Sequence, residues 1–408
     1  MRQRSGAWGH APAMGHRIRG SIAAVAVLAL MLGMATPAQA AGRYTFTKVA
    51  DSVRDDFNPN SFTCASINNR GDIAFKAGRT SADGLNSFDG IYRANADGGI
   101  TTIAEDPDRT RFGFLGNNPS MNDLGEVSFA ANLANGEESI LRGNGTALTT
   151  IATTETEFNF FGFDTSVNNS GEVAFKAELD PEFDFALGLF SGSGGPATTH
   201  LLNSTDVTLD GQAARFGGNF DRPSINTVGD IAVDDSVQPA FDSGIFAGQE
   251  GSFRTIAAPD PNRSVRAPTF NDAGTAAFET SFFDETGQFV DAIVTGNGGP
   301  LTTIADTTGR FIGFFFRPPS INGSGAVAFG AFLDDNQTSG IFVGPGVKKD
   351  RVIATGDRLD GRTILNGGLS FCEEGLNDSG QLAFIASLGD PAAPNGFRTA
   401  VFRATPKR

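Results

Sequence analysis

The stretch SINNRGDIAFKA, Ser66–Ala77, is polar in its first half and alternates small and aromatic residues in its second. Taken alone, its NNRGD core reads equally as a ligand-gripping loop or as the turn between two strands. The pattern recurs six more times: MNDLGEVSFAA from Met121, VNNSGEVAFKA from Val167, INTVGDIAVDD from Ile225, FNDAGTAAFET from Phe270, INGSGAVAFGA from Ile321 and LNDSGQLAFIA from Leu376. Each copy pairs an asparagine with a glycine three residues on: Asn68 and Gly71, Asn122 and Gly125, Asn168 and Gly171, Asn226 and Gly229, Asn271 and Gly274, Asn322 and Gly325, Asn377 and Gly380. The asparagines are spaced by 54, 46, 58, 45, 51 and 55 residues. Seven equivalent ligand loops would be unusual, whereas seven equivalent hairpins are what a strand repeat needs. In that reading the Asn opens a type I turn and accepts a backbone N–H. The Gly takes the left-handed position that closes the turn as a tight, bulged hairpin.

Two further motifs travel with each copy. One is a GIF-like triplet: GIY at Gly90, SIL at Ser139, GLF at Gly188, GIF at Gly244, AIV at Ala292, GIF at Gly340 and AVF at Ala400. The other is a TTIA-like segment, as at Thr101, Thr149 and Thr302. Each piece is short, β-branched or aromatic, and bounded by Gly, Asn, Asp or Pro. Sustained helical spacing is nowhere found. Four short strands per unit of about 50 residues, seven times over, predict an all-β fold, a seven-bladed β-propeller. The phase of the repeat predicts how the ring closes. The segment YTFTKVA, Tyr44–Ala50, resembles a fourth strand without its first three, and the chain ends soon after the third strand of unit seven. The last blade is therefore expected to be three strands plus one, completed from the N-terminal end, so that neither edge is left open.

The repeats resemble those of the bacterial choice-of-anchor tandem-repeat proteins known for their NxxGxxAF motif. The resemblance covers residues 41–408 and implies an exported propeller-like protein whose activity is not established. Two departures stand out. Val233 replaces the aromatic residue of the fourth repeat, which is expected to weaken that blade, and the terminal AVFRATPKR carries no anchoring signal, so surface attachment is not carried over.

Residues 1–40 read as a Sec-type signal peptide. Arg2, Arg4, Arg17 and Arg19 precede the apolar run from Ser21 to Ala35, and Ala38 and Ala40 occupy the small-residue positions of a cleavage site near Ala40. The run is too short for a stable membrane span. The expectation is a secreted or periplasmic protein, a single propeller over residues 41–408, and a monomer. Loss of the leader takes four arginines and moves the formal charge from −15 to −19. Such an acidic surface repels nucleic acid. An even cysteine count in an exported chain predicts a disulfide. Cys64 lies four residues before Asn68 and Cys372 five before Asn377, in the first strands of units one and seven, which become neighbours only if the ring closes.

Residues suited to chemistry are few. One histidine, His200, remains after the leader, too little for a Ser–His–Asp triad or a His-rich metal centre. Acidic clusters such as AEDPDR at Ala104 and LDPEFD at Leu179 follow no EF-hand spacing. No cofactor is predicted, although such oxygens are the ligands a calcium ion would take. Arginines recur ahead of the repeat asparagines: Arg111, Arg215, Arg222, Arg266, Arg310 and Arg317. Of these, Arg111, Arg222, Arg266 and Arg317 are candidates to converge on a central channel with Glu373 and Glu374. Tyr44 and Tyr92 are the only aromatic residues with a polar handle beyond the leader, which disfavours a sugar-stacking site. The expected function is a non-catalytic binding or scaffolding propeller for an extracellular or periplasmic protein or glycan. The alternative is a propeller hydrolase or lyase with one metal ion in the channel.

Overall fold

The computed structural model describes residues 42–81, 84, 87–180, 186–239 and 242–407; the expected leader lies outside them. Among the described residues there is no helix, and the strands form seven sheets. Blade 1 shows the plan: Ala65–Ile67 innermost, then Ile73–Thr80, Ser87–Ala94 and Ile100–Glu105, each antiparallel to the next. The NxxG turn joins the first two strands, so all seven such turns lie on one face of the ring. Connections between second and third strands, and from one blade to the next, lie on the opposite face.

The AF dipeptide explains how blades stack. Successive residues of a strand point to opposite sides, so the small residue and the ring serve two different interfaces. Phe75 packs within blade 1 against Ala383, Ile385 and Val401 of blade 7, while Ala74 packs among Phe112, Leu115 and Phe129 of blade 2. Third strands repeat the division: Ile91 joins the blade 2 cluster and Tyr92 the blade 7 side. Around the ring Ala174, Ala232, Ala277, Ala328 and Ala383 each enter the following blade's core. A blade without a neighbour would expose one whole apolar face, so the stack is stable only as a closed set.

Closure follows the predicted three-plus-one arrangement. Tyr44–Asp51 pairs antiparallel with Phe397–Pro406, the third strand of blade 7. Its end is pinned by Asp51, which is fully buried and contacts Lys48 at 2.7 Å and Arg398 at 3.0 Å. Burial by itself would push this carboxyl up. Lys48, the Val53 N–H and Arg398 outweigh it and hold the pKa at about 2. The disulfide is present: Cys64 and Cys372 are joined with 5.8 Å between Cα atoms at a sequence separation of 308.

In blade 4 Val233 stands where the other repeats carry a phenylalanine. Phe216 and Phe220, from the connection into that blade, are both fully buried beside Val233, and Phe216 meets Phe246 edge-on at 4.9 Å between ring centroids. That connection also folds into a hairpin, Val207–Leu209 with Gln212–Ala214, turning at Asp210–Gly211 with positive φ at both residues. The same turn recurs at Asp360–Gly361 before the inner strand of blade 7.

The asparagine of each turn has two tasks. Its Oδ1 accepts N–H groups two and four residues on, as in Asn322 with Ser324 at 3.2 Å and Ala326 at 3.0 Å. Its Nδ2 donates to the backbone carbonyl of the next blade's asparagine. Asn68 reaches Asn122, Asn122 reaches Asn168 and Asn168 reaches Asn226, at 3.2, 3.0 and 3.1 Å. Asn271 reaches Asn322, Asn322 reaches Asn377 and Asn377 returns to Asn68, at 2.9, 3.1 and 2.9 Å. Of the seven steps, only that from Asn226 to Asn271 is not made among the described residues.

Two tests follow from closure. Deleting Tyr44–Ala50 exposes the edge of Phe397–Pro406 and the core beneath it, and is expected to lower the thermal midpoint by at least 10 °C in calorimetry; an unchanged midpoint would refute closure by this strand. Asn→Asp keeps the Oδ1 acceptor and removes the inter-blade donor. Asn322→Asp should therefore cost about 1–3 kcal/mol in denaturant unfolding at pH 7, the cost of an unpaired buried polar group, and Asn226→Asp markedly less.

Candidate functional site

The axis of the ring is lined by residues at fixed offsets from the repeat asparagines. Two residues before each Asn stands a hydroxyl in six blades: Ser66, Ser120, Ser166, Ser224, Thr269 and Ser320. Several take the backbone N–H of the following blade, as Ser120 Oγ does from Val167 at 3.0 Å, Ser224 Oγ from Phe270 at 3.0 Å and Ser320 Oγ from Leu376 at 3.1 Å. These hydroxyls thus satisfy an inner strand that has no further strand beside it. On the turn face, the residues after the asparagines form an outer collar. Asp123 accepts from Asn69 N, Asp272 from Thr227 N and Asp378 from Gly323 N, at 2.7, 2.8 and 2.7 Å. The cavity inside this collar is about 170 Å³.

Blade 7 breaks the pattern. Where other blades have a strand, Cys372–Glu373–Glu374–Gly375 forms a turn, with Gly375 N donating to Cys372 O at 3.2 Å. Glu374 sits at φ 59°, a left-handed conformation that is costly for a residue with a Cβ. A Cβ on Gly375 would lie 2.6 Å from the Phe371 ring and 2.8 Å from Cys372 O, so glycine is required there. The turn absorbs the one-residue difference between the offsets of Cys64 and Cys372. It also swings Glu374 into the axis. Glu374 Oε1 accepts from Ser120 Oγ at 2.9 Å and Ser166 Oγ at 3.1 Å, and its carbonyl takes Ile67 N at 2.9 Å. Its Oε2 is buried with no hydrogen-bond partner. Burial raises the Glu374 pKa to about 7, and the neighbouring Glu373 charge adds to it. Ser120, Ser166 and the Met121 N–H act the other way. Glu374 therefore lines both the collar cavity and a small pocket of about 20 Å³ on its other side, closing the axis between them.

That small pocket holds the polar network of the opposite face. Arg222, at φ 51°, lies 3.7 Å from both Asp164 Oδ2 and Glu373 Oε1. Arg317 Nη1 donates to Asn118 Oδ1 at 2.9 Å, and Asn118 Nδ2 donates to Asp164 Oδ1. Glu373 is held above the usual carboxylate range by burial, against the pull of Arg222. The structure thus brings Arg222, Arg317, Glu373 and Glu374 together and leaves the other two candidates outside. Arg111 stacks on the Phe112 ring at 4.8 Å in an exposed connection, and Arg266 pairs with Glu279 at 3.2 Å. Arg215 and Arg310 are likewise half-exposed and paired, with Asp206 and Asp334. His200 is buried between blades 3 and 4. Its Nδ1 accepts the Glu250 N–H at 3.0 Å and its Nε2 meets Ser191 Oγ at 2.7 Å, while that hydroxyl donates to Glu172. With Nδ1 an acceptor the ring is neutral, and burial lowers its pKa. This is the geometry of a structural histidine.

Sequence reasoning missed the aromatic character of the face opposite the NxxG turns. Phe316 is 90% exposed beside Arg317, and Phe163, beside Asp164, is 50% exposed. Phe283 and Phe289 flank a blade 5 hairpin turn at 68% and 54% exposure, with centroids 5.4 Å apart. The signal was the FIGFFFRPP run at Phe311–Pro319, which has more rings than strand alternation can bury.

A family of unknown function (DUF7453) matches residues 257–408. No curated protein matches the chain. Among solved structures, it is similar to the β-propeller domain of the Trilobed protease from Pyrococcus furiosus, at 11% identity over 84% of this chain and 94% of that one, with a TM-score of 0.49. A Pyrococcus horikoshii acylaminoacyl peptidase shares 10% identity over 83% of this chain, with a TM-score of 0.47, and this chain spans about half, 52%, of its length. The polysaccharide lyase Uly1 shares 10% identity over 85% of this chain and 90% of its own, with a TM-score of 0.45. Likeness at this level carries nothing about activity.

The raised Glu374 pKa has a definite sign. Its stabilising contribution is complete below the unfolded-state value near 4.5 and is lost as pH rises through about 7. Relative to Glu374→Gln, the natural chain should lose about 3 kcal/mol between pH 4.5 and 8. Parallel pH profiles of the two proteins in denaturant unfolding would refute this assignment.

Proposed function

We propose that the chain works outside the cytoplasm as a non-catalytic binding propeller, with a protein partner seated on the face opposite the NxxG turns. The observation that carries the reading is the exposure there of Phe163, Phe283, Phe289 and Phe316. Contiguous exposed apolar surface is uncommon where a protein meets only water, and Phe283 and Phe289 stand ring against ring at 5.4 Å. Phenylalanine lacks the polar handle that suits a glycan-stacking site, which favours a protein over a glycan. Arg222 and Arg317 add cationic groups at the centre of this face of an acidic chain. The disulfide fits a compartment that permits one. No helix among the described residues is long and apolar enough to cross a membrane, a fact that leaves strands aside.

The hydrolase or lyase reading has one observation behind it, the adjacent buried carboxylates Glu373 and Glu374. The pocket they share, about 20 Å³, holds little more than one water, and of the two only Glu374 also lines the collar cavity of about 170 Å³.

Photo-crosslinking from single positions in cells distinguishes the faces. A photoreactive residue at Phe316 or Phe163 should give one discrete protein adduct. The same probe at Val228, 71% exposed on the turn face, should give none. Equal adducts from both faces, or none from Phe316 and Phe163, would overturn the proposal.

A further inference from the structure

Cys64, Cys372 and Glu373 form a compact group beside the axis. Both sulfurs and a Glu373 carboxylate oxygen lie within 4.8 Å of one another. The two cysteines are almost wholly buried. Arg222 faces Glu373 Oε1 at 3.7 Å, while Oε2 is buried and has no hydrogen-bond partner. An orphaned carboxylate oxygen next to two sulfurs is costly in the disulfide form, because no hydrogen bond offsets its desolvation. It is what a metal centre made from two thiolates and a carboxylate would use.

We propose that opening the Cys64–Cys372 disulfide turns this group into a zinc site, so that zinc binding is gated by the redox state of the seam. The disulfide sulfurs are poor ligands; the thiolate is the species that binds. Reduction by a water-soluble phosphine balances as follows. The S–S bond breaks, the phosphine gives up two electrons and takes oxygen from water as its oxide, and the two hydrogens of that water end on the two thiols. Zinc then displaces both thiol protons to solvent. Two sulfurs on a tetrahedral zinc stand about 3.7 Å apart, given bonds of about 2.3 Å. Side-chain rotation reaches that separation with the Cα atoms held at 5.8 Å. Two thiolates with one carboxylate suit zinc better than a hard cation such as calcium, and the fourth position falls to water.

The seam stays closed without the S–S bond. Asn377 still donates to Asn68 O, Ile67 N to Glu374 O, and Tyr44–Asp51 remains paired with Phe397–Pro406. The ligands are therefore held in place by contacts that do not involve sulfur, and Arg222 leaves Oε2 free by engaging Oε1.

Cobalt(II) is the probe, because thiolate ligation gives a near-ultraviolet charge-transfer band. The phosphine-reduced full chain should bind one equivalent with that band, lose it to equimolar zinc, and keep its circular dichroism throughout. Zinc should raise the thermal midpoint of the reduced protein and leave that of the oxidised protein unchanged. Glu373→Gln should weaken cobalt affinity at least tenfold, Glu374→Gln should leave it within twofold, and Cys372→Ser should abolish the two-thiolate band. The proposal falls if the reduced protein unfolds or shows no thiolate band. It falls equally if Glu373→Gln binds as tightly as the natural chain.

Discussion

The rest of the structure depends on the amide of one asparagine per blade. A propeller's innermost strand has a neighbour on one side only, so its exposed backbone must find partners across the axis or from side chains. Here the Asn side chain ties its own turn through Oδ1 and grips the next blade through Nδ2. A hydroxyl two residues earlier takes an N–H of the adjoining strand. Because the donors run in one direction, each blade's satisfaction depends on its neighbour's presence. Six of the seven steps are made among the described residues, the last of them when Asn377 returns to Asn68 across 309 residues of sequence.

That return coincides with the place where the repeat is least regular. Blade 7 has glycine where the other blades have the hydroxyl, and its inner segment is the turn Cys372–Gly375 in place of a strand. The Glu374 carbonyl takes over from the missing hydroxyl by accepting Ile67 N, and the Glu374 carboxylate occupies the hydroxyl ring beside Ser120 and Ser166. The seam is thus held by a disulfide, a strand pair, the Asp51–Arg398 contact and a strained glutamate, in addition to what the repeat supplies at every junction. A ring made from one chain opens most readily where its ends meet, and reinforcement is concentrated at that point.

Much of this was legible in the sequence because it is periodic. The NxxG spacing marked the hairpins, the AF dipeptide marked which residues share a face, and the phase of the repeat marked Tyr44–Ala50 as the closing strand. The pairing of Cys64 with Cys372 followed from closure. What could not be read lies where side chains from different blades meet. Arg222, Arg266 and Arg317 lie four or five residues ahead of their asparagines, yet local backbone decides their fates. Arg222 takes a left-handed conformation that carries it to Glu373, while Arg266 stays on a regular pair with Glu279. Val233 looked like a weakness, and only the fold shows it packed in a fully buried cluster with Phe216 and Phe220. The inter-blade role of the Asn Nδ2 was also hidden, since a turn motif accounts for the residue without it.

The same periodicity separates structure from candidate function. A feature present in all seven blades is required by the architecture, so the residues most suggestive by repetition are the least informative about a partner. The informative ones are singular: Glu373 and Glu374 in blade 7, Arg222 in blade 4, Phe316 and Arg317 in blade 6. They divide by accessibility. The glutamates line the axis, Glu373 at a pocket of about 20 Å³ and Glu374 between that pocket and the collar cavity, whereas Phe316 stands clear of the surface. The axial carboxylates, buried beside the seam and one of them titrating near neutrality, belong to the chemistry of keeping the ring closed.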